Sequence, residues 1–297
     1  MEKIGFIGLG VMGTPMALNL LRHGTDLSVY DVRESLLECF VSKGAAISNP
    51  GEIGNACSII FLMLPNGEVV KEVLFGKGGV CDGLTPGTVV CDMSSVAPED
   101  SLYCSRLLHE KGYHFLDAPV SGGEPKAIDG TLSFMVGGSE ETFARVLPYF
   151  EMMGANALLV GGTGTGSIAK LANQIIVNMT IAAVSEAFVF AAKAGADPEK
   201  VYKAIRGGLA GSAVLDAKLP MILERNFEPG GSIYINHKDI KNVVEEAHLI
   251  GTPIPLTSQL FEIMQVLKLK GHLNEDHSAI VQYFENLADC QVKRKDD

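Results

Sequence analysis

The feature that constrains this chain most is a glycine-rich turn between a short apolar run and an amphipathic segment. The turn has the spacing G-x-G-x-x-G and comprises Gly8, Leu9, Gly10, Val11, Met12 and Gly13. In a strand-turn-helix unit the first glycine allows a tight turn, the second lets the backbone approach a pyrophosphate, and the third lets the helix pack on the strand. The N–H groups at the start of the helix then face the phosphates. The turn therefore predicts a dinucleotide site.

The residues after the turn complete a βαβ unit. Apolar residues recur at helical spacing as far as Gly24, and residues 27–30 then predict a second strand. Asp31 follows that strand, where an acidic residue accepts hydrogen bonds from an adenosine ribose and repels a 2′-phosphate. The alternative is a solvated aspartate in a turn. The position favours NAD, and Arg33 leaves NADP possible.

Length and composition limit the protein class. At 297 residues and 47% hydrophobic content, the chain can form two domains with a large core. A net charge of -11 argues against a nucleic-acid partner. The six cysteines show no spacing typical of zinc ligands, so we expect no metal site. We expect a cytoplasmic protein with no signal peptide, no run of transmembrane length and no membrane partner.

Alternating strand and helix patterns continue after Asp31. The run from 58 to 64 suits a strand buried on both faces, and residues 35–43 predict a helix. We predict a Rossmann-type doubly wound α/β sheet over residues 1–162. Ligands of such sheets lie beyond the carboxyl ends of the strands, although turn chemistry alone also explains each polar residue there. The residues at these ends are Pro65, Asn66, Ser94, Ser95 and Ser121 to Gly123.

The pattern changes after Val160. A glycine and threonine hinge spans residues 161–166, and residues 167–194 predict one long helix that is apolar on nearly all sides. Asp197 and Pro198 predict the capped start of the next helix. The rest is helical in pattern, so we predict an all-helical domain over residues 163–297.

The first turns of the long helix carry the predicted chemistry. Lys170, Asn173 and Gln174 are spaced i, i+3 and i+4, which places an ammonium and two amides on one helix face. A hydride delivered to a carbonyl creates an alkoxide that needs a proton and nearby positive charge. The alternative is a lysine whose stem packs on apolar surface near the helix N-terminus, where a cation is electrostatically disfavoured.

At this point the sequence resembles the β-hydroxyacid dehydrogenase family, almost end to end. The resemblance includes the glycine turn and five further motifs in the same order. These motifs are Leu64-Pro65-Asn66, Asp92-Met93-Ser94-Ser95, Asp117 to Gly123, Lys170 to Gln174 and His237-Lys238-Asp239. The segments at 124–132 and 205–212 are most similar to members that reduce tartronate semialdehyde to D-glycerate.

The resemblance implies roles for individual residues. Lys170 would be the catalytic acid/base, and Ser121, Gly122 and Gly123 would hold the substrate carboxylate. Asn173 and Gln174 would orient the substrate. The cofactor would contact the glycine turn, Asp31, Leu64, Pro65, Asn66, Ser95 and Lys238, the last by resemblance alone. Ser95 and Gln174 stand where many members carry threonine and asparagine, which affects substrate placement rather than chemistry. The family pairs subunits through its helical domain, which implies a homodimer or homotetramer.

Three functions are compatible with these observations. The first is NADH-dependent reduction of tartronate semialdehyde, and the second is oxidation of 3-hydroxyisobutyrate or another 3-hydroxyacid. The third is a non-catalytic dinucleotide-binding sensor. A sensor needs the glycine turn but no proton donor, so Lys170 beside two amides argues against it.

Overall fold

The computed structural model describes residues 2–294 and separates into two compact units, Met1–Lys170 and Leu171–Asp297. The strands of the first unit are β1 (Lys3–Ile7), β2 (Asp26–Tyr30), β3 (Ala46–Ile47), β4 (Ile59–Leu62), β5 (Val89–Asp92), β6 (His114–Asp117), β7 (Val120–Ser121), β8 (Leu132–Gly137) and β9 (Gly154–Gly161). Its helices are α1 (Gly13–Arg22), α2 (Glu38–Val41), α3 (Pro50–Ala56), α4 (Gly67–Phe75), α5 (Pro98–His109), α6 (Gly123–Asp129) and α7 (Glu140–Met153).

The sheet confirms the predicted doubly wound fold. Its strand order is β3-β2-β1-β4-β5-β6-β8-β7, with β9 paired to β8. The strands from β1 to β6 are all parallel and follow the order 3-2-1-4-5-6 of dinucleotide-binding sheets. Strand β8 runs antiparallel to β6 and β7. The carboxyl ends of β1, β4, β5 and β6 therefore lie along one edge of the sheet.

Both faces of this sheet are covered. Ile59 and Phe61 of β4 belong to one apolar cluster, whereas Ile60 and Leu62 belong to a second cluster. Alternate side chains of a strand point to opposite faces, so this division places one cluster on each side of the sheet. All four residues are buried. A strand buried on both faces is a continuous apolar run, which is why the sequence here shows no alternation.

Helix α8 (Thr165–Lys193) contains the division between the two units, which falls after Lys170. The helices of the second unit that follow it are α9 (Pro198–Ile205), α10 (Ala213–Glu224), α11 (Ile233–Leu249), α12 (Pro255–Leu269) and α13 (Val281–Ala288). The predicted cap of α9 is present, because the Asp197 side chain accepts hydrogen bonds from the N–H groups of Glu199 and Lys200. The all-helical character of this region is confirmed.

Two local expectations differ from the structure. The segment 35–43 is not one helix, because a 3-10 turn at Glu34–Leu36 precedes the single turn of α2, and neither has a side-chain cap.

Among the described residues, α8 is long and apolar enough to cross a bilayer by length and composition alone, with a mean hydropathy of 1.9. The expectation of no run of that length does not hold by this criterion. A helix of a protein core passes the same test, so no membrane role follows.

Candidate active site

The glycine turn joins β1 to α1 with little space around two of its glycines. Gly8 has φ +99°, and a Cβ there would lie 2.2 Å from the Met63 carbonyl oxygen. A Cβ at Gly13 would lie 1.9 Å from the Gly8 carbonyl oxygen. Gly10 differs, because its nearest neighbour would be an Arg33 guanidinium nitrogen at 3.8 Å. Gly8 and Gly13 therefore close the turn, whereas Gly10 leaves space for a ligand.

The start of α1 fits a dinucleotide pyrophosphate. Its N-cap, Met12, makes no side-chain hydrogen bond to the first turn, so the N–H groups there have no side-chain cap of the usual kind. Val11 is exposed on the turn and Leu9 is buried beneath it. A phosphate accepts hydrogen bonds from N–H groups at such a helix start, where the helix dipole also favours negative charge.

Asp31 is buried directly after β2, and its carboxylate forms a hydrogen bond to the backbone of the glycine turn. It accepts a hydrogen bond of 2.7 Å from the Leu9 N–H. Arg33 also donates to it, through its backbone N–H at 2.9 Å and its guanidinium at 3.0 and 3.2 Å. Burial raises the pKa of the Asp31 carboxyl, but these hydrogen bonds outweigh burial and hold that pKa below its ordinary value.

A cavity of about 420 Å³ opens beside the turn and Arg33. It is lined by Leu9, Gly10, Val11, Thr14, Pro15, Leu18, Arg22, Arg33, Leu36, Glu124 and Ile128. Two guanidinium groups, those of Arg22 and Arg33, thus border one space next to the turn. The sequence singled out Arg33 but not Arg22.

The loops after β4 and β5 lie on neighbouring strands. Leu64 donates its N–H to the Ser94 hydroxyl at 2.8 Å. The Asn66 side chain caps α4 by accepting from the Val69 N–H at 2.9 Å, so capping already explains this residue, and contact with a cofactor stays a prediction. Pro65 is exposed and Ser95 is half-buried in these two loops.

Two buried carboxyl groups stand side by side at this edge, and sequence reasoning gave neither a role. Asp92 ends β5 and is opposite Asp117, which ends β6. Burial raises the pKa of Asp92 to about 7, against the effect of hydrogen bonds from Ser94. Burial also raises the pKa of Asp117, more than hydrogen bonds from Gly164 and Ser167 lower it. The sequence feature that could have identified these two carboxyl groups is their position at the ends of two predicted strands.

The predicted carboxylate loop has a backbone that only glycine adopts readily. Gly122 has φ +141° and Gly123 has φ +72°. Both are exposed, and Ser121 before them is half-buried. A Cβ at Gly122 would lie 2.8 Å from the Lys126 side chain. The loop therefore presents backbone rather than side chains, as the predicted contact with a carboxylate requires.

Lys170 reaches the strand that leads into this loop. Its Nζ donates a hydrogen bond of 2.9 Å to the carbonyl oxygen of Val120, and its side chain is half-buried in the first turns of α8. Val120 immediately precedes Ser121. The first unit therefore brings together the predicted proton donor and the predicted carboxylate loop.

The remaining predicted residues belong to the second unit. Asn173 donates to the Gln174 side-chain oxygen at 2.9 Å, and Gln174 donates to the Asp239 carboxylate at 2.7 Å. Lys238 forms an ion pair with Asp239 at 3.3 Å. Asp239 is almost fully buried. Its carboxylate contacts both Gln174 of α8 and Lys238 of α11 and so links the two helices. Sequence reasoning did not identify this link, and roles for these residues toward a ligand stay predictions.

Across residues 2–294, no three histidine, cysteine, aspartate or glutamate side chains come together as ligands for a metal ion. The hydrogen-bond donors near the turn and the loop include backbone N–H groups, the guanidinium groups of Arg22 and Arg33 and the Lys170 ammonium, with the carboxylates of Asp31 and Glu124 beside them. This set of donors suits anionic ligands.

Comparison with known proteins identifies the family. Residues 3–162 match the NAD binding domain of 6-phosphogluconate dehydrogenase, and residues 164–284 match the NAD-binding of NADP-dependent 3-hydroxyisobutyrate dehydrogenase. A 2-hydroxy-3-oxopropionate reductase of Escherichia coli (strain K12) is 43% identical over 290 residues, which cover 98% of this chain and 99% of that protein. The chain belongs to the β-hydroxyacid dehydrogenase family.

Other relatives are named after different substrates. A 2-(hydroxymethyl)glutarate dehydrogenase of Eubacterium barkeri is 36% identical, covering 98% of this chain and 97% of that protein. A crystal structure of a 3-hydroxyisobutyrate dehydrogenase from Salmonella typhimurium has a TM-score of 0.87 and 28% identity, covering 96% of this chain and all of that one. The chain is an NAD(P)-dependent oxidoreductase that acts on a CH–OH group.

Proposed function

We propose that this enzyme uses NADH to reduce tartronate semialdehyde (2-hydroxy-3-oxopropanoate) to D-glycerate. The 43% identity to the Escherichia coli reductase supports the choice of substrate. The observation that carries the chemistry is the hydrogen bond from Lys170 Nζ to Val120, next to the glycine loop. It places an ammonium beside the backbone predicted to hold a carboxylate.

The site residues divide the work by their chemistry. The backbone N–H groups of Ser121, Gly122 and Gly123, together with the Ser121 hydroxyl, would hold the substrate carboxylate. When bound, the nicotinamide would supply a hydride for the aldehyde carbon. Lys170 gives its proton to the aldehyde oxygen as negative charge develops there, and its positive charge stabilises that oxygen. The aldehyde then becomes the primary alcohol of glycerate, and water replaces the lost proton.

The turn from Gly8 to Gly13 would hold the cofactor pyrophosphate, and Asp31 would accept hydrogen bonds from the adenosine ribose. The buried Asp31 carboxylate repels a 2′-phosphate and favours NADH. The guanidinium groups of Arg33 and Arg22 beside the cavity can neutralise a 2′-phosphate, so NADPH is the second cofactor. The loops at Leu64 to Asn66 and at Ser95 would contact the cofactor, as would Lys238. Asn173 and Gln174 orient the substrate.

A 3-hydroxyisobutyrate dehydrogenase is the second candidate function, because a solved structure of that name shares the fold at 28% identity. A non-catalytic sensor is disfavoured by the anchored ammonium of Lys170. We propose a homodimer or homotetramer as the assembly, on the family resemblance alone, and a cytoplasmic location stays a prediction.

The test is NADH oxidation by the purified enzyme against matched aldehyde acids. Tartronate semialdehyde and 2-methyl-3-oxopropanoate, the aldehyde of 3-hydroxyisobutyrate, differ only by hydroxyl or methyl at C2. A site that hydrogen-bonds a hydroxyl can reject an analogue without it by roughly 10⁴-fold. We expect kcat/KM for tartronate semialdehyde to be higher by at least about 10²-fold. A higher value for the methyl compound would assign the second function, and no turnover of any aldehyde acid would favour the sensor.

A further inference from the structure

Asp117 connects the end of β6 to the start of α8. One carboxylate oxygen accepts the N–H of Gly164 at 2.8 Å, and the other accepts the N–H of Ser167 at 2.8 Å. Asp117 is 1% exposed. Each carboxylate oxygen therefore accepts a hydrogen bond from one N–H group at the helix start. The helix itself has no acceptor for these N–H groups.

Two glycines, Gly137 and Gly166, pack closely against Asp117. A Cβ added at Gly137 would lie 2.5 Å from an Asp117 carboxylate oxygen, and one at Gly166 would lie 2.4 Å from the Asp117 carbonyl oxygen. The absence of a side chain at Gly137 and Gly166 thus lets β6, β8 and the start of α8 approach closely. The Asp117 carboxylate therefore holds the first turn of α8 together with the hydroxyl pair of Ser101 and Ser167.

The same short segment also holds Lys170. Asp117 contacts the helix start, and three residues later the carbonyl of Val120 accepts from Lys170 Nζ at 2.9 Å. Ser167 and Lys170 are about one turn, ~5 Å, apart along the helix. Residues 117–120 therefore contact α8 at two points, and the loop predicted to hold the substrate follows directly.

We infer that Asp117 is a positioning residue that holds the first turns of α8 so that the Lys170 ammonium meets the substrate aldehyde oxygen. This inference rests on the proposed function, in which Lys170 is the proton donor. A displacement of a reacting group by about 1 Å can lower a rate by roughly 10²-fold. Loss of the cap should therefore lower the rate of hydride transfer without removing any group that touches substrate or cofactor.

The experiment is a double-mutant cycle on single-turnover hydride transfer, measured as loss of NADH absorbance with the fastest oxoacid of the panel. Asp117→Asn keeps the size of the side chain but places an NH2 group against one of the two N–H groups. We expect this change to lower the rate at least ~10-fold in the parent and less than about twofold in a Lys170→Ala background. The dissociation constant of NADH should stay within about twofold in all four proteins, because the glycine turn is untouched.

Ser101→Ala is the matched control. The Ser101 hydroxyl shares a buried hydrogen bond of 3.0 Å with that of Ser167, so its loss also disturbs the first turn of α8 but leaves both backbone bonds of the cap. We expect near-parental rates for this variant. A loss equal to that of Asp117→Asn would show that any defect in this turn has the same effect and would overturn a specific role for Asp117.

Each remaining outcome decides the question. An equal rate loss from Asp117→Asn in both backgrounds, or no loss in the parent, would overturn the positioning role. If Asp117→Asn does not fold by circular dichroism, Gly137→Ala, whose Cβ would lie 2.5 Å from the same carboxylate, enters the same cycle. Failure of both to fold would make Asp117 a residue of fold stability and refute the inference. A Lys170→Ala enzyme with more than about a tenth of the parental rate would instead refute the proposed function.

Discussion

Replacement of Lys170 is the change that tests the mechanism most directly. Lys170→Ala removes the ammonium that donates to Val120 but leaves the glycine turn, Asp31 and the loop at Gly122 intact. A positioned acid contributes roughly 10²- to 10⁴-fold to a rate, which corresponds to about 2.7 to 5.4 kcal/mol of activation free energy. We therefore expect kcat to fall at least ~10²-fold while the affinity for NADH stays unchanged.

The effect on stability should be much smaller than the effect on the rate. A hydrogen bond from a charged donor contributes about 1.5 to 3 kcal/mol when buried, and less here because the Lys170 side chain is half-buried and the Val120 carbonyl can gain water. In a chain of this size, each kcal/mol lost lowers the melting temperature by only about 2 to 4 °C. A folded Lys170→Ala enzyme should therefore be obtained for the assay.

The assay is single-turnover hydride transfer, followed as loss of NADH absorbance after mixing enzyme and NADH with substrate. Lys170→Met is the matched control for side-chain volume and should behave like Lys170→Ala. Lys170→Arg keeps the positive charge but cannot readily release a proton, so it should not restore the rate. If Lys170→Ala retains more than about a tenth of the parental rate, another residue or water is the proton donor and the reasoning fails.

Three further predictions concern the cofactor, the substrate loop and stability. NADH should be preferred over NADPH, and Asp31→Ser should narrow the difference in kcat/KM, because a carboxylate that repels the 2′-phosphate is lost. Gly122→Val should raise KM strongly with NADH affinity unchanged, since φ +141° and the 2.8 Å approach to Lys126 exclude a side chain there. As pH falls from about 6.5 to about 4, the His277→Gln variant should lose less unfolding free energy than the parent, because burial lowers the pKa of His277 to about 4.

The sign of the His277 effect follows from proton uptake. Below about pH 6.5 the unfolded chain gains a proton at His277 that the folded chain does not take up until about pH 4. The fold therefore loses about 3 kcal/mol as pH falls through this window, and Gln lacks this contribution. Urea unfolding at pH 7 and pH 4.5 measures the difference. Equal pH dependence in both proteins would contradict the prediction.

A parental enzyme that prefers NADPH by tenfold or more, about 1.4 kcal/mol, would show that Arg33 rather than Asp31 determines cofactor choice. A Gly122→Val enzyme that loses NADH affinity as strongly as substrate affinity would show that the loop had been assigned to the wrong ligand.

Features that depend on neighbouring residues could be predicted from the sequence. The turn from Gly8 to Gly13 follows from backbone sterics at glycine, and the buried strand β4 follows from its uninterrupted apolar run. The cap at Asp197 and the long apolar pattern of α8 are equally local. Each was predicted from a short window because the forces that produce it act within that window.

Contacts between groups that are distant along the chain could not be predicted, because they form through the packing of the folded chain. The Asp117 carboxylate meets Ser167 across 50 residues, and Gln174 meets Asp239 across 65. No local period shows which buried carboxylate finds which donor, because the partner is set by strand order and helix packing. The pairing of Arg33 with Asp31 is close in sequence, yet rotamer choice in the folded chain decides it. For this reason the sequence could indicate Lys170 but not the carboxylate at the start of its helix.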